Sequence, residues 1–161
     1  MALSSQYVVF TLDDQRYTLP LACVERVFPA AYITPLPQAP AIIMGVINVQ
    51  GHIIPVVNLR KRFRLTEREL ELSDQFVVGK TPRRTVALVV DTVLGVADFP
   101  SHEITPGTHI VPGLGPIAGV IKTTDDVLLI HDLDSCLSLD EEQALDGALP
   151  PIERRCWHDR S

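Results

Sequence analysis

Two stretches of this chain repeat one pattern 74 residues apart, and that repetition limits the possible folds more than any single motif does. Gly45-Val46-Ile47 lies over Gly119-Val120-Ile121, with Ile43 over Ile117, Ile53-Ile54 over Val127-Leu128, Asn58 over Asp132 and Leu59 over Leu133. Each copy reads as a hairpin. The first, "GVINVQGHIIPVVNL" at 45–59, is too rich in β-branched residues for a helix interior. One strand is expected to Val49, a reversal at Gln50-Gly51, and a return strand through Val57. Gly51 can take the positive φ that a tight reversal needs. In the second copy the reversal falls on Thr124-Asp125, also good turn residues. An earlier match, at an offset of 69, sets Tyr7-Val8-Val9 over Phe76-Val77-Val78, Leu19 over Leu88, Val24 over Val93 and Val27 over Val96. Two matches in the same order imply two similar β-lobes, each of about five short strands. Strands this short and numerous close into small barrels, which hides their edges.

The remaining segments fit between these landmarks. "YVVFTLDDQRYTLPL" reads as two strands around a turn at Asp13-Asp14-Gln15, and "VERVFP" as another. The prolines of "TPLPQAPA" cannot donate to a sheet ladder and predict a loop. "NLRKRFRLTERELEL" changes to helix formers and predicts one or two short turns. "DQFVVGK" and "RTVALVVDTVLGVADF" restore the strand pattern, "PSHEITPGTHIVPGLGP" predicts a second loop, and "IAGVIKTTDDVLLIHDL" the second hairpin. Ser138 followed by Glu141 predicts a capping box at the start of a terminal helix, and "GALPPIERRCWHDRS" reads as a mobile tail. The expected organisation is one domain over 1–147, with lobes at 6–65 and 74–137, then a flexible tail over 148–161.

Composition excludes several functions. A chain of 161 residues can bury roughly 70% of its unfolded surface, so it requires neither disulfide nor metal. Net charge of -6 and an aromatic content of 6% oppose a nucleic-acid binder, which needs basic strands interleaved with aromatics. Cys23, Cys136 and Cys156 show no CxxC spacing and point to a reducing cytoplasm. "MALSSQYVVF" lacks the pattern of a signal peptide, and runs such as "TVALVV" fall far below the ~20 residues of a membrane span. No membrane insertion is expected.

Catalytic chemistry finds no foothold. The histidines share no HxxxH or HExxH spacing, and His131, on an apolar strand, reads as structural. Cys156-Trp157-His158 offers only two ligands. Asp91, Asp132 and Asp134 stand near strand ends, where carboxylates cap turns more often than they act as paired acids. Gly113-Leu114-Gly115 lacks the strand-and-helix context of a phosphate loop. Arg60, Lys61, Arg62 and Arg64, beside Glu67, Glu69 and Glu71, read as a solvated face. Val24, Val27 and Val49 read as core, unless a groove between the lobes exposes them. No catalytic residue, cofactor or metal is expected.

The same segments carry a family resemblance. "IMGVINVQGHIIPVVNLRKRF", "VERVFPAAYITPLPQAP" and "TVALVVDTVLGVADFP" together resemble the CheW-like coupling proteins of chemotaxis, over about residues 6–147. The resemblance implies a mainly β fold of two intertwined five-stranded SH3-like barrels with a short C-terminal helix. It also implies a non-catalytic adaptor, cytoplasmic and recruited to membrane receptor arrays, and monomeric by itself. The adaptor would join the regulatory domain of a CheA-type histidine kinase to the cytoplasmic tip of a chemoreceptor. Motility is one output, and control of pili, biofilm or second messengers with altered receptor specificity is another. The receptor-facing residues implied are Val24, Arg26, Val27, Val49, Gln50 and Gly51, with Gly45 and Gly119 as equivalent structural positions at the entry to each hairpin. Two positions depart from the family pattern: Arg26 stands where a glutamate is usual, and Gln50 where an arginine is usual. Drift at an exposed pair, a changed partner preference, and a match displaced by one residue, with Glu25 standing one place early, all fit that departure.

Overall fold

In the computed structural model, which describes residues 4–106, 117–133 and 137–149, short strands alternate with tight turns. β1 (Ser4–Leu12) and β2 (Gln15–Pro20) form a hairpin whose turn residues Asp13 and Asp14 have φ of 50° and 70°. Short polar side chains tolerate that region better than most. β3 (Val24–Pro29) precedes the proline-rich loop. β4 (Ile43–Val49) and β5 (His52–Val57) form the expected hairpin, followed by the one-turn helix α1 (Leu59–Arg62). The second half contains β6 (Gln75–Lys80), β7 (Thr85–Val90), β8 (Thr92–Pro100), β9 (Ile104–Pro106), β10 (Ile117–Lys122), β11 (Val127–His131) and α2 (Leu139–Ala148). The capping box closes as expected: Glu141 N–H donates to Ser138 Oγ at 3.1 Å, and Ser138 N–H donates to the Glu141 carboxylate at 2.8 Å.

Three local expectations change. Part of the second predicted loop is β9, which pairs with β10. The long run "TVALVVDTVLGVADF" is broken at Asp91, whose N–H turns to donate to Thr11 O at 2.9 Å. Ala148 belongs to α2, and Leu149 N–H caps it by donating to Leu145 O, so the expected tail over 148–161 begins too early. Residues 150–161 lie outside the described ones, as do Gly113-Leu114-Gly115, Asp134 and Cys156-Trp157-His158.

The strands form a six-stranded sheet, β8-β1-β2-β11-β10-β9, and a five-stranded sheet, β3-β6-β7-β5-β4. These sheets do not follow the sequence spans 6–65 and 74–137. Each half of the chain builds its first hairpin into the sheet of the other half, because β3 pairs antiparallel with β6 and β8 pairs antiparallel with β1. The repeat seen in the sequence is repeated in register. Val8 pairs with Leu19 as Val77 pairs with Leu88, Val27 with Val77 as Val96 with Val8, and Ile47 with Ile54 as Ile121 with Leu128. Even the irregularities recur: the ladder slips between Ile43 and Gly45 and again between Ile117 and Gly119. The lone bridge from Thr34 to Val46 recurs as Thr105 opposite Val120.

This pairing explains the unbroken apolar runs. Tyr7, Val9, Ile121, Leu128 and Ile130 cluster inside the six-stranded barrel, and Ile47, Ile54, Val56, Phe76, Val78 and Ala87 inside the five-stranded one. The opposite faces of the same strands place Phe10, Leu12, Leu19, Val77, Val86, Leu88 and Val90 in a third core shared by both sheets. A strand buried on both faces needs apolar residues at every position, so "FVV" and "ALVV" show no alternation.

Gly45 is required by this architecture. It has φ 152°, and a Cβ there would lie 2.3 Å from Thr34 O and 2.7 Å from the Ile33 side chain. Thr34 and Val46 exchange backbone hydrogen bonds of 2.9 and 2.8 Å at that point, so the two chains cannot separate to make room. Gly119 holds the equivalent slip position, opposite Pro106 of β9.

An ion network ties the turns to α1. Arg60, only 9% exposed, grips both oxygens of Asp91 at 2.8 and 3.0 Å and reaches Asp13 at 2.7 Å. Arg68 joins Asp91 at 2.8 Å and holds the buried Asp74 through two bonds of 2.7 and 3.0 Å. Arg62 is half-buried against Glu141. Arg60 and Arg62 therefore do not form the solvated face expected of the basic run, because their partners come from distant turns and from α2. Burial pushes the Asp91 carboxyl up, but the Asp13 amide and the Arg60 and Arg68 guanidinium groups outweigh it and hold it below the ordinary value. A depressed folded pKa means stability that is fully present above the unfolded value near 3.8 and lost as pH falls through the folded one.

Two outcomes follow from this packing. Gly45→Val is expected to destabilise by about 3 kcal/mol or more, and Gly119→Val by about 1–3 kcal/mol, read as lowered melting temperatures. Unchanged melting in both would refute the equivalence of the two hairpins. Asp91→Asn is expected to cost about 3 kcal/mol at neutral pH, because it leaves half-buried guanidinium groups underpaired. In urea titrations that deficit narrows as pH falls below about 4.

Candidate partner-binding surface

The residues singled out from sequence lie on two elements that the sheet order places far apart. Val24, Arg26 and Val27 belong to β3, while Val49, Gln50 and Gly51 form the end of β4 and its turn. β3 and β4 are opposite edges of the five-stranded sheet. The sheet curls until those edges meet, and Arg26 Nη2 donates to Gln50 Oε1 at 3.4 Å across the seam. Residues 26 and 50, separated by 24 positions, thus come together only because the barrel closes.

The turn itself is built locally. Gln50 has φ 52° and Gly51 φ 89°, the pair of positive values that a type I′ hairpin turn requires. Asn48 Oδ1 accepts from Gly51 N–H at 2.8 Å and fixes the reversal. Glutamine is an uncommon choice at a position where Asn, Asp and Gly dominate. Its longer side chain is what lets it reach β3.

Around this seam the surface is mixed. Val24 and Val27 are half-buried against the shared core and Val49 against the five-stranded cluster, so the expectation of core holds only on one side of each. Their place at sheet edges leaves the other side open. Glu25, at the slip in the β3–β6 ladder, pairs loosely with Lys80 at 3.9 Å. Arg26 is exposed, and among the described residues no carboxylate lies within ion-pair distance of it. Gly45 and Gly119 lie within the hairpins and shape the sheets rather than this surface.

The repeat exposes a second surface that reading the sequence for motifs missed. Under the offset of 69, Glu25, Arg26, Val27 and Phe28 correspond to Leu94, Gly95, Val96 and Ala97 on β8, the edge of the six-stranded sheet. Leu94 and Val96 are 52% and 55% exposed. They border a cleft reaching Phe99, Thr123 and Leu128, with the Arg16–Asp126 pair at its side, 2.9 Å apart. Where one barrel closes its seam with an arginine and a glutamine, the other has Gly95 and Thr124, which cannot bridge. The signal was present in the alignment of the halves: a charged edge facing an apolar one.

The reactive side chains are otherwise engaged. His131 is buried with Phe63 edge-on at 5.1 Å, and Asp91 is committed to the arginine network. Among the described residues, no group of three His, Cys, Asp or Glu side chains could hold a metal ion, and no helix is long and apolar enough to cross a membrane.

Comparison with known proteins gives this arrangement a context. The CheW-like domain matches residues 6–141. The chain is 28% identical over 146 residues to the chemotaxis protein CheW of Treponema pallidum, covering 87% of this chain and 86% of that one. It is 30% identical over 129 residues to the CheW of Thermotoga maritima, covering 80% and 84%. The crystal structure of the scaffolding protein TtCheW from Thermoanaerobacter tengcongensis superposes with a TM-score of 0.78 at 28% identity, covering 85% of this chain and 94% of that one. With the family description spanning most of the chain and the two intertwined barrels reproduced in a solved relative, the chain belongs to the CheW-like family.

Proposed function

We propose that this chain is a non-catalytic adaptor coupling a chemoreceptor to a CheA-type histidine kinase in chemotaxis-like signalling. One observation supports the reading above the rest: two barrels of the same construction present edges of opposite character. An adaptor must hold two different partners at once, and two pseudo-equivalent edges that differ chemically suit that task. The apolar β8 edge, with Leu94 and Val96 exposed, is suited to strand-edge pairing with the kinase's regulatory barrel. The seam carrying Val24, Arg26, Val27, Val49, Gln50 and Gly51 faces the cytoplasmic tip of the receptor. The adaptor acts as a monomer in the cytoplasm, gathered to the receptor array by these contacts, and turns over nothing. Regulatory contacts of this sort are modest in area and reversible.

Affinity for the kinase's isolated regulatory domain is expected in the micromolar range, roughly -8 kcal/mol. Leu94→Asp should weaken it at least tenfold in calorimetry without moving the melting temperature. Absence of binding to every kinase of the same organism would remove the adaptor reading. At the seam, the double change Arg26→Glu with Gln50→Arg is expected to shift stability by no more than about 0.5 kcal/mol, as exposed substitutions do. Binding to the native receptor tip should weaken several-fold and binding to a tip served by an ordinary Glu/Arg adaptor should tighten, each single change doing less. Equal affinities across the four variants would mean that Gln50 serves only the turn.

A further inference from the structure

Resting on the reading that the Arg26–Gln50 seam faces the receptor, we propose that this seam selects its receptor by a carboxylate. Arg26 takes an aspartate or glutamate of the receptor tip in a two-pronged pair, Gln50 aims the guanidinium, and the apolar residues around them exclude water.

Arginines in this chain are mostly settled on its own carboxylates. Arg16, Arg60, Arg62, Arg68 and Arg84 each form an ion pair within the chain. Arg26, Arg64 and Arg83 form none among the described residues, and of these three only Arg26 is held there by another side chain. Its bond to Gln50 is long, at 3.4 Å, and engages one donor of the fork with a neutral acceptor. The neighbouring Glu25 turns to Lys80 instead, at 3.9 Å. A guanidinium placed this way is steadied by an amide while the rest of its fork stays free. A planar carboxylate is the group that fills such a fork bidentately.

The surroundings raise the worth of that pair. Val24 and Val27 flank Arg26 on β3, Val49 precedes Gln50, and all three valines are half-buried. Past β3 the chain bridges Thr34 to Val46, which places Tyr32, 80% exposed, along the outer edge of β4 toward the turn that carries Gln50. Tyrosine and arginine are the side chains on which interfaces concentrate their energy, provided near-neutral neighbours keep water out. An ion pair open to water is worth little. Covered by a partner and ringed by valines and a tyrosine, the same pair gains strength. A glutamate at position 26 would repel the same carboxylate, so the arginine also excludes receptors matched to the ordinary pattern.

Nuclear magnetic resonance and calorimetry of the full chain separate the two readings. The probes are the soluble cytoplasmic hairpins of chemoreceptors from the same organism, with each Asp and Glu at the tip changed in turn to Asn or Gln. On addition of a hairpin, the amide signals of 26–28 and 49–51 are expected to shift, which marks the seam as the receptor face. Arg26→Gln is expected to weaken that hairpin by about fivefold or more, and Tyr32→Ser by about threefold or more, with melting unchanged because both residues are exposed. One acidic tip position, once neutralised, is expected to lose about fivefold against the native chain and less than about twofold against Arg26→Gln. Shifted seam signals with Arg26→Gln binding within about twofold of the native chain, or with no tip carboxylate coupled to Arg26, would overturn the carboxylate while keeping the seam as receptor face. Unshifted seam signals with every hairpin would overturn both.

Discussion

The structure depends on one exchange of pairing: β3 leaves its own half to pair with β6, and β8 leaves its half to pair with β1. Neither sheet can form from one half of the chain. The first hairpin of each half supplies strands to the sheet of the other, and the faces they turn inward meet in a core that belongs to both. Loop-closure entropy opposes such long-range pairing, so it persists only because strands buried on two faces return enough apolar area to offset that cost. That is why Phe10, Leu19, Val77 and Leu88 are wholly or nearly wholly buried although they lie in different halves.

The polar contacts are arranged around this exchange. The Arg60, Arg68, Asp13, Asp74 and Asp91 network joins the β1–β2 turn of one sheet to α1 and to the β7–β8 junction of the other. Its members satisfy one another where water is partly excluded, so removing any one leaves an underpaired charge. α2 spans the same junction, with Leu145 buried in the shared core and charge pairs of its own. Opposite the junction, the outward side chains of the two edge strands are free to differ, since β3 and β8 hold the fold through their backbone pairing and their inward faces. One became a charged seam closed by Arg26 and Gln50, the other an apolar cleft at Leu94 and Val96. Duplicated architecture with divergent edges is an economical way to make a two-sided adaptor.

Much of this was legible in the residues. The hairpin at Gln50-Gly51 follows from β-branched runs around a glycine, the cap at Ser138 from its spacing to Glu141, and the repeat from two ordered matches. These are local properties, decided within a few residues by φ preferences and short hydrogen bonds. The repeat even carried register, because a one-residue slip would turn every apolar side chain to the wrong face.

What the chain determined by itself was therefore its strands, its turns and its twofold pattern. Which strands pair beyond the hairpins was settled only in three dimensions. The repeat marks lobes at 6–65 and 74–137 as spans of sequence, and that the barrels intertwine was implied only by the family resemblance, because nothing in β3 or β8 marks them as destined for the other half. Arg60 likewise looked like surface, because an arginine's burial depends on whether carboxylates from remote turns converge on it. Arg26 and Gln50 are neighbours only because a curled sheet brings its two edges together. Local sterics act along the chain and can be read there, whereas pairing, burial of charge and closure of a barrel depend on the sum of distant contacts, which exists only once the chain has folded.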